Sequence, residues 1–149
     1  MEDRYAVRVV LFDQNGAVAL VKSAKHAYYK IPGGGIEVGE SAREAAVRET
    51  LEESGCECEI LAELGRVETP LPDWGIYDIS DGFTARVIGE KGEPQYEAWE
   101  QERGFGLEWH DDPFAAVQMI SENVVADESA RLMQERDLTF LKRALKIEN

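Results

Sequence analysis

The chain has 149 residues and a formal net charge of −14, from 16 basic and 30 acidic side chains. This length suits one domain, residues 1–149, and a hydrophobic content of 44% is enough for a folded core. The acidic balance argues against binding a nucleic-acid polymer, and no apolar run approaches the roughly 20 residues of a membrane span.

The N-terminal part of the chain is predicted to form three strands. The segment MEDRYAVRVVLF starts with acidic residues and enters a strand pattern at once, which is not typical of a signal peptide, so we expect a cytoplasmic protein. Residues 4–12 alternate between two faces, one with Tyr5, Val7, Val9 and Leu11, the other with Ala6, Arg8, Val10 and Phe12. The Asn-Gly pair at 15–16 predicts a hairpin turn into a strand at 17–22, and a third strand at 28–32 ends at Pro32.

A helix is predicted after a glycine loop at 33–35. Three consecutive glycines permit close backbone approach and unusual dihedral angles. Ser41 and Glu44 have the S-x-x-E spacing of a capping box, and Gly55 is the glycine expected just after a last helical turn. The helix should therefore run from Ser41 to about Ser54.

The remainder of the chain predicts further strands and two helices. Strand patterns cover 56–70, 75–90 (one or two strands) and 104–110, and helices are predicted near 112–122 and over 128–147. The last helix has a predicted buried stripe of Met133, Leu138, Phe140, Leu141, Ala144 and Leu145. Cys56 and Cys58 fit neither a disulfide framework nor a zinc site and are expected to be reduced, half-buried thiols. The whole pattern predicts an α+β fold, a mixed sheet sandwiched between helices.

The first predicted helix carries three glutamates on one face. Glu49, Glu52 and Glu53 are spaced i, i+3, i+4, which brings their side chains together. Like charges at this spacing destabilise a helix by roughly 0.2–0.5 kcal/mol per pair, and anions in the last turn oppose the helix dipole. Arg48 offsets part of this through its i, i+4 spacing to Glu52. Clustered carboxylates are ligands that Mg²⁺ prefers, so the face predicts a metal site, with a solvated acidic face as the alternative.

Residues 34–56, GGIEVGESAREAAVRETLEESGC, match the pattern G-x5-E-x7-R-E-U-x-E-E-x-G-U of the Nudix box, where U is aliphatic. All the fixed positions are present: Gly34, Glu40, Arg48, Glu49, Glu52, Glu53 and Gly55. At residue frequencies of about 6–7%, seven such matches at one start have odds on the order of 10⁻⁸. Thr50 and Cys56 depart from the aliphatic preference without changing a charge. The chain therefore resembles the Nudix hydrolases, and its flanking strands, Trp109 and last helix fit the same fold.

The resemblance implies an enzyme that hydrolyses a pyrophosphate bond in a nucleoside diphosphate linked to another group. It implies a set of ligands for Mg²⁺ or Mn²⁺: Glu52, Glu53, the backbone carbonyl of Gly33, and Glu49 as a third carboxylate or a base. Arg48 would orient these glutamates, and Glu40 would support the junction between loop and helix. Bound cations would neutralise the developing phosphate charge and lower the pKa of the attacking water.

The general base is not fixed by the box. The resemblance places it either in the box or in a later loop, and residues 95–109 offer four candidates: Glu97, Glu100, Glu102 and Glu108. Glu102 is preferred because it is predicted to lie in the loop just before a strand. A solvated acidic loop is the alternative.

Cations and aromatic side chains outside the box are candidate substrate contacts. Residues 22–30, KSAKHAYYK, contain no acid in an otherwise acidic chain and lead into the glycines. This segment predicts phosphate contacts by Lys25 and Lys30, with Lys22 and His26 beside them, and Arg8 is a further candidate. Base stacking would use one of four aromatic residues, unless these are buried in the core: Tyr28, Tyr29, Trp74 and Tyr77.

The substrate class is open at the level of sequence. Pro70 and Pro72 lie near the distance at which ADP-ribose-cleaving relatives carry a proline, and a nucleoside triphosphate, including an oxidised one, fits equally well. We expect a small nucleotide substrate, no nucleic-acid polymer and no membrane partner, and a homodimer is compatible with the sequence. The alternative is a non-catalytic Nudix module that binds a nucleotide, although such modules usually lose box glutamates that are all present here.

Overall fold

The protein folds around a mixed β-sheet, seen in a computed structural model that describes residues 1–25 and 28–147. The strands are β1 (Glu2–Phe12), β2 (Val18–Ser23), β3 (Tyr28–Lys30), β4 (Gly33–Gly35), β5 (Glu57–Leu71), β6 (Ile76–Ile88) and β7 (Phe105–His110). The helices are α1 (Ala42–Ser54), α2 (Ala98–Glu102), α3 (Pro113–Glu122) and α4 (Glu128–Leu145), with a 3-10 turn at Pro72–Trp74. The sheet order is β3-β2-β1-β6-β5, with β4 paired to β1 and β7 paired to β2. This architecture confirms the predicted α+β fold.

β1 is the central strand, and its two faces serve two separate cores. Val7, Val9 and Leu11 pack with α1 on one side, as the alternation of the sequence predicts. Val10, with Phe12 beside it, packs against α3 and α4 on the other side. β1 pairs in parallel with β6 along its whole length, while β5 pairs with β6 in the antiparallel sense. Helices therefore cover both faces of the sheet, and β1 contributes to both cores, as does β2 through Ala19 on one side and Val18 and Leu20 on the other.

The predicted hairpin between the first two strands is only partly formed. Asp13 closes the turn, since its Oδ1 accepts hydrogen bonds from the amides of Asn15 and Ala17 at 2.9 Å. β1 and β2 then pair only at Phe12 and Val18. β2 diverges to pair with β3 and β7, which leaves the middle of that edge of β1 open for β4.

Helix α1 has the caps that the sequence predicts. The Ser41 side chain accepts from the Glu44 amide, and the Glu44 carboxylate accepts from the Ser41 amide. Gly55 ends the helix with φ of 73°, in the left-handed region that glycine adopts without strain. Both caps fix where the acidic face begins and ends relative to the sheet.

Several other predictions are confirmed in outline and corrected in detail. Residues 76–88 form a single strand, one of the two predicted alternatives, and α4 ends at Leu145 rather than 147. Helix α2 was not predicted, because five residues are too short to establish a helical period. Cys56 and Cys58 are free and both are buried, more deeply than expected. No helix within the described ranges is long and apolar enough to cross a membrane.

A buried ionic network, missed from the sequence, ties α4 to the sheet. Arg136 donates to Asp78 Oδ2 on β6 at 3.2 Å and to Asp137 Oδ1 at 2.9 Å, and all three side chains are at most 2% exposed. The amide of Ile31, between β3 and β4, donates to Asp137 Oδ2 at 3.1 Å. Burial alone would raise the pKa of Asp78, but the charges of Arg136 and Arg8 hold it below its ordinary value. The network thus fixes the strand that leads into β4.

We expect Arg136→Met to destabilise the fold strongly. The substitution keeps an unbranched side chain of similar length but leaves Asp78 and Asp137 as buried carboxylates without the guanidinium that donates to both, although Arg8 still lies near Asp78. Removing one partner of a buried ion pair costs about 3–5 kcal/mol, so the free energy of unfolding should fall by that amount in a urea titration. Arg66→Met is the control, because the Arg66–Asp81 pair is solvent-exposed and its loss should change stability little. Equal effects of the two substitutions would contradict a structural role for the network.

Candidate functional site

The glutamates of α1 open into a cavity of about 460 Å³ beside β1, β4 and α2. Small-molecule sites usually have volumes of about 300–1,000 Å³, so the cavity suits a ligand the size of a nucleotide. Its lining includes acidic residues, glycines, cations and aromatic residues: Glu49, Glu52, Glu53, Glu97, Glu100, Gly33, Gly34, Gly35, Arg4, Arg8, Lys30, Arg103, Tyr28, Trp74, Trp99 and Phe105. Ile76, Gln95 and Met133 complete it, so Met133, which was predicted in the buried stripe of α4, lines the cavity, whereas the other five residues of the stripe pack in the core.

Arg48 organises the acidic face of α1. Its Nε and Nη2 donate to the two oxygens of Glu40 at 2.7 and 2.9 Å, a bidentate pair. Its Nη1 donates to Glu49 Oε1 at 2.8 Å and to Glu52 Oε2 at 3.4 Å, and Nη2 also donates to the carbonyl of Gly35 at 2.9 Å. One guanidinium therefore joins the helix, β4 and the segment between them. The contacts join Arg48 to Glu49 and Glu52, which it is predicted to orient, and to Glu40, which is predicted to support the junction.

The three glycines form strand β4 rather than the predicted loop. They pair with Ala6, Val7 and Arg8 of β1 in the antiparallel sense, so the backbone is extended and ordinary in its dihedral angles. Close approach is the part of the prediction that holds. A Cβ on Gly33 would lie 2.1 Å from the Val7 carbonyl oxygen, and one on Gly34 would lie 2.5 Å from the Glu49 carboxyl carbon. Glycine is needed here because the strand is wedged between β1 and the glutamates.

Glu53 is the most deeply buried of the three glutamates. The amide of Gly33 donates to its Oε1 at 2.7 Å, and Lys30 Nζ lies 3.2 Å from its Oε2. The side chains of Lys30 and Glu53 are 12% and 4% exposed. Oε2 makes no hydrogen bond of good geometry among the described residues, so its partner is the charge of Lys30. Gly33 and Lys30 therefore compensate a charge that the helix dipole and the neighbouring glutamates disfavour.

Glu49 has a pKa that its surroundings raise above the ordinary value. Burial raises its pKa, and the nearby charges of Glu53 and Glu52 raise it further, while Arg48 opposes them. A carboxylate in this position gains stability when a positive charge approaches. The protein compensates the acidic face only in part, because two cations, Arg48 and Lys30, face four carboxylates: Glu40, Glu49, Glu52 and Glu53.

The donor set fits a hard divalent cation. Carboxylate oxygens are ligands that Mg²⁺ and Mn²⁺ prefer, and the buried Glu53 Oε2 lacks a hydrogen-bond donor of good geometry. In the part of the chain that the structure describes, no three acidic, histidine or cysteine side chains are already grouped closely enough to hold an ion. The glutamates instead face Arg48 and Lys30, so their side chains would have to turn to bind an ion. The Gly33 amide is occupied by Glu53, and its carbonyl remains a predicted ligand.

Only some of the predicted phosphate-binding residues line the cavity. Lys30 and Arg8 line the cavity, but Lys25 is an exposed turn residue outside the lining, and His26 lies outside the described residues. Arg8 is 4% exposed, and burial, with Arg136 nearby, lowers its pKa to about 10, at which it is still cationic near neutral pH. Arg4 and Arg103 also line the cavity and were not predicted. Arg4 could have been found, since it shares a face of β1 with Arg8.

Of the four aromatic residues predicted to stack on a base, two line the cavity and two do not. Tyr28 and Trp74 line the cavity, whereas Tyr29 stacks edge-on against His110 and the Tyr77 hydroxyl donates to Glu68 at 3.0 Å. Two lining aromatics were missed, Trp99 and Phe105, whose rings meet edge-to-face with centroids 5.7 Å apart. Trp99 is 47% exposed, and its indole nitrogen donates to Glu97 at 2.6 Å. The sequence feature that could have identified them is the run of aromatic residues Tyr96, Trp99 and Phe105 within one short segment.

Glu102 is not placed as predicted. It is exposed at the end of α2 rather than in a loop, and it is absent from the described cavity lining. The reason is the unpredicted helix, which turns Glu97 and Glu100 toward the cavity and Glu102 away from it. Glu100 is buried, and burial raises its pKa.

The segment before α2 is attached to the C-terminal end of α1. The Gln95 amide donates to the Glu52 carbonyl at 2.7 Å, the Tyr96 hydroxyl to the Glu53 carbonyl at 3.2 Å, and the Gly92 amide to the Gly55 carbonyl at 2.9 Å. The last carbonyls of a helix lack intrahelical donors, so these bonds satisfy them. Helix α2 and the carboxylates of α1 are thereby held in a fixed relation across the cavity.

Comparisons with known proteins agree with the sequence pattern. A model of the NUDIX domain matches residues 2–135. An RNA pyrophosphohydrolase of Cereibacter sphaeroides is 36% identical over 99 residues, which cover 64% of this chain and 58% of that protein. A putative 8-oxo-dGTP diphosphatase of Bacillus subtilis is 39% identical over 62 residues, 42% of each chain.

Solved structures share the fold at lower identity. A MutT protein from Methanosarcina mazei superposes with a TM-score of 0.63 at 18% identity, over 97% of this chain and 96% of that one. At this identity the likeness concerns the fold alone. The chain spans 58% of the length of the first curated relatives that it matches.

We expect Glu40→Gln to lower the melting temperature by an amount that depends on pH. Hydrogen bonds from Arg48 and from the Glu37 amide lower the pKa of Glu40 from 4.5 to about 2. A lowered folded-state pKa stabilises the protein above the unfolded value, and this stabilisation is lost as the pH falls from about 4.5 toward about 2. The difference in melting temperature between parent and variant should therefore be largest near neutral pH and shrink in acid. A difference that stays constant with pH, as expected for the exposed control Glu63→Gln, would contradict this account.

Proposed function

Because the chain belongs to the Nudix family, we propose that it is a metal-dependent hydrolase of small nucleotides. The bond cleaved is a pyrophosphate bond in a nucleoside diphosphate linked to another group, which includes nucleoside triphosphates and nucleotide sugars. The observation that carries the proposal is that three glutamates of one helix, several cations and exposed aromatic rings line the same cavity. A pyrophosphate ester of a nucleoside has the matching groups: metal-binding phosphates, negative charge and a flat base.

The metal would be held by the α1 glutamates. Glu49, Glu52 and Glu53 supply carboxylates, and the Gly33 carbonyl is the proposed backbone ligand. A bound Mg²⁺ or Mn²⁺ supplies charge neutralisation for the phosphates and activation of the attacking water. Arg48 would orient the glutamates, since it donates to Glu40 and to Glu49 at the same time.

The remaining lining residues would bind the substrate. Lys30 and Arg8, which line the cavity, would donate to phosphate oxygens, and the exposed ring of Trp99 would stack against a base. Glu100 replaces Glu102 as the proposed proton acceptor outside the box, because it is buried at the cavity while Glu102 faces solvent. A carboxylate with a raised pKa is a stronger base toward a water proton than an ordinary one.

A small nucleotide is favoured over the end of a nucleic-acid chain. The net charge of −14 repels a polyanion, and the cations of the site are gathered inside the cavity rather than along a surface. The names of the relatives nevertheless include an RNA pyrophosphohydrolase, so a 5′-triphosphorylated RNA belongs among the compounds tested.

The test is a product screen with the purified protein. Nucleoside triphosphates, oxidised triphosphates, ADP-ribose, nucleotide sugars and a short 5′-triphosphorylated RNA are incubated with Mg²⁺ or Mn²⁺, and products are separated by chromatography. We expect a nucleoside monophosphate as one product, formed only when the divalent ion is present. Turnover that persists in excess chelator would contradict metal dependence. Metal-dependent nucleotide binding with no product from any compound would favour the non-catalytic module.

We expect Glu53→Gln to reduce kcat by at least about 10²-fold on the substrate found in the screen. The amide keeps the size of the side chain but removes a charge that would help hold the metal where phosphate charge develops, and loss of one such electrostatic stabiliser costs about that factor. The matched control is Glu63→Gln, an exposed β5 residue, which should retain parental kcat. Parental kcat in Glu53→Gln would show that this carboxylate is structural.

A further inference from the structure

Lys30 occupies the position of a cation against a predicted metal ligand. Its ammonium lies 3.2 Å from Glu53 Oε2, within a pair whose side chains are 12% and 4% exposed. The other oxygen of Glu53 is held by the Gly33 amide. Oε2 is therefore the oxygen left for an incoming metal ion, and it is the oxygen that Lys30 already faces.

We propose that Lys30 is a built-in counter-ion which a divalent metal must displace from Glu53. In the metal-free protein the ammonium neutralises a carboxylate that burial would otherwise destabilise. When the metal binds Glu53, the two cations repel each other, and Lys30 moves toward the centre of the cavity, where phosphate would lie. This inference rests on the proposed function, because it assumes that Glu53 is a metal ligand.

The two cations beside the glutamates, Arg48 and Lys30, differ in how firmly they are held. Arg48 is fixed by a bidentate pair with Glu40 and by a bond to the Gly35 carbonyl, so it cannot leave without breaking several hydrogen bonds. Among the described residues Lys30 forms one salt bridge, to Glu53; its charge also acts on Glu100, and its stem is flexible. Its ammonium also lies 5.2 Å from the centre of the Phe105 ring, which offers a cation–π contact inside the cavity. Lys30 is therefore the mobile cation and Arg48 the fixed one.

Such an exchange couples the metal to the substrate. Without metal, Lys30 is engaged by Glu53 and is a poor donor to phosphate. With metal, the same ammonium is released beside the glutamates. Each ligand then favours the other by the same factor, as linkage requires. One lysine would thus disfavour metal binding alone and favour the ternary complex.

The first test measures Mn²⁺ affinity without substrate, by the electron paramagnetic resonance signal of the free ion. Lys30→Gln removes the competing charge and should bind Mn²⁺ about three- to tenfold more tightly than the parent. Lys142→Gln, a change of equal charge on α4 outside the cavity lining, controls for the general electrostatic effect and should stay within about twofold. Unchanged or weaker binding in Lys30→Gln would overturn the proposal.

Melting temperatures with and without saturating Mn²⁺ give a second readout. Without metal, Lys30→Gln should melt below the parent, because Glu53 is then buried without its cation. Saturating Mn²⁺ should raise the melting temperature of Lys30→Gln more than that of the parent. If the variant folds only when Mn²⁺ is present, the proposal is supported. If it is unfolded in both conditions, or if Mn²⁺ shifts both proteins equally, Lys30 is structural and the proposal fails.

Measurements on the parent protein distinguish failure of the Lys30 exchange from failure of the proposed function. If Mn²⁺ neither binds nor shifts the melting of the parent, the metal-dependent function itself is wrong. If the parent binds Mn²⁺ but Lys30→Gln binds it equally well, only the exchange is wrong. On the substrate found in the screen, with saturating Mn²⁺, the exchange also requires KM to rise more than kcat falls in Lys30→Gln. An unchanged KM would overturn the release of Lys30 toward phosphate.

Discussion

Glu53 must keep a negative charge almost entirely away from water, and much of the surrounding structure satisfies that requirement. A buried carboxylate is unstable unless donors or cations compensate it. The amide of Gly33 supplies the donor and Lys30 supplies the cation, one from each side of the short segment that joins β3 to β4. That segment can lie close enough only because β4 is glycine, since a Cβ at Gly34 would collide with Glu49. The acidic helix and the glycine strand are thus one structural unit.

The sheet topology makes room for this unit. β2 leaves β1 after a single paired position and joins β7, which frees the middle of that edge of β1 for β4. The buried network of Arg136, Asp78 and Asp137 then fixes the approach to β4, because Asp137 accepts the amide of Ile31. A charged network between α4 and the sheet therefore fixes the approach to a strand that lines the cavity.

The side of the cavity formed by α2 is held in place by the C-terminal end of α1. The carbonyls of Glu52, Glu53 and Gly55 accept bonds from the segment that precedes α2. These bonds satisfy the free carbonyls at the end of α1 and at the same time hold Trp99 and Glu100 across from the glutamates. The carboxylates that would hold a metal and the residues that would contact a substrate are therefore supported by one element, which is consistent with a site that must keep both in register.

The sequence by itself determined those features that depend on local spacing. The alternation of Val7, Val9 and Leu11 with Val10 and Phe12 predicted a two-faced central strand, the Ser41–Glu44 box and Gly55 predicted the ends of α1, and the spacing of Glu49, Glu52 and Glu53 predicted a shared acidic face. Only the tertiary structure decided how distant segments meet. It paired the glycines with β1, set Lys30 against Glu53, and turned Glu100 rather than Glu102 toward the cavity. Such contacts depend on strand pairing and on a five-residue helix without a readable period, and residue spacing along the chain does not encode either.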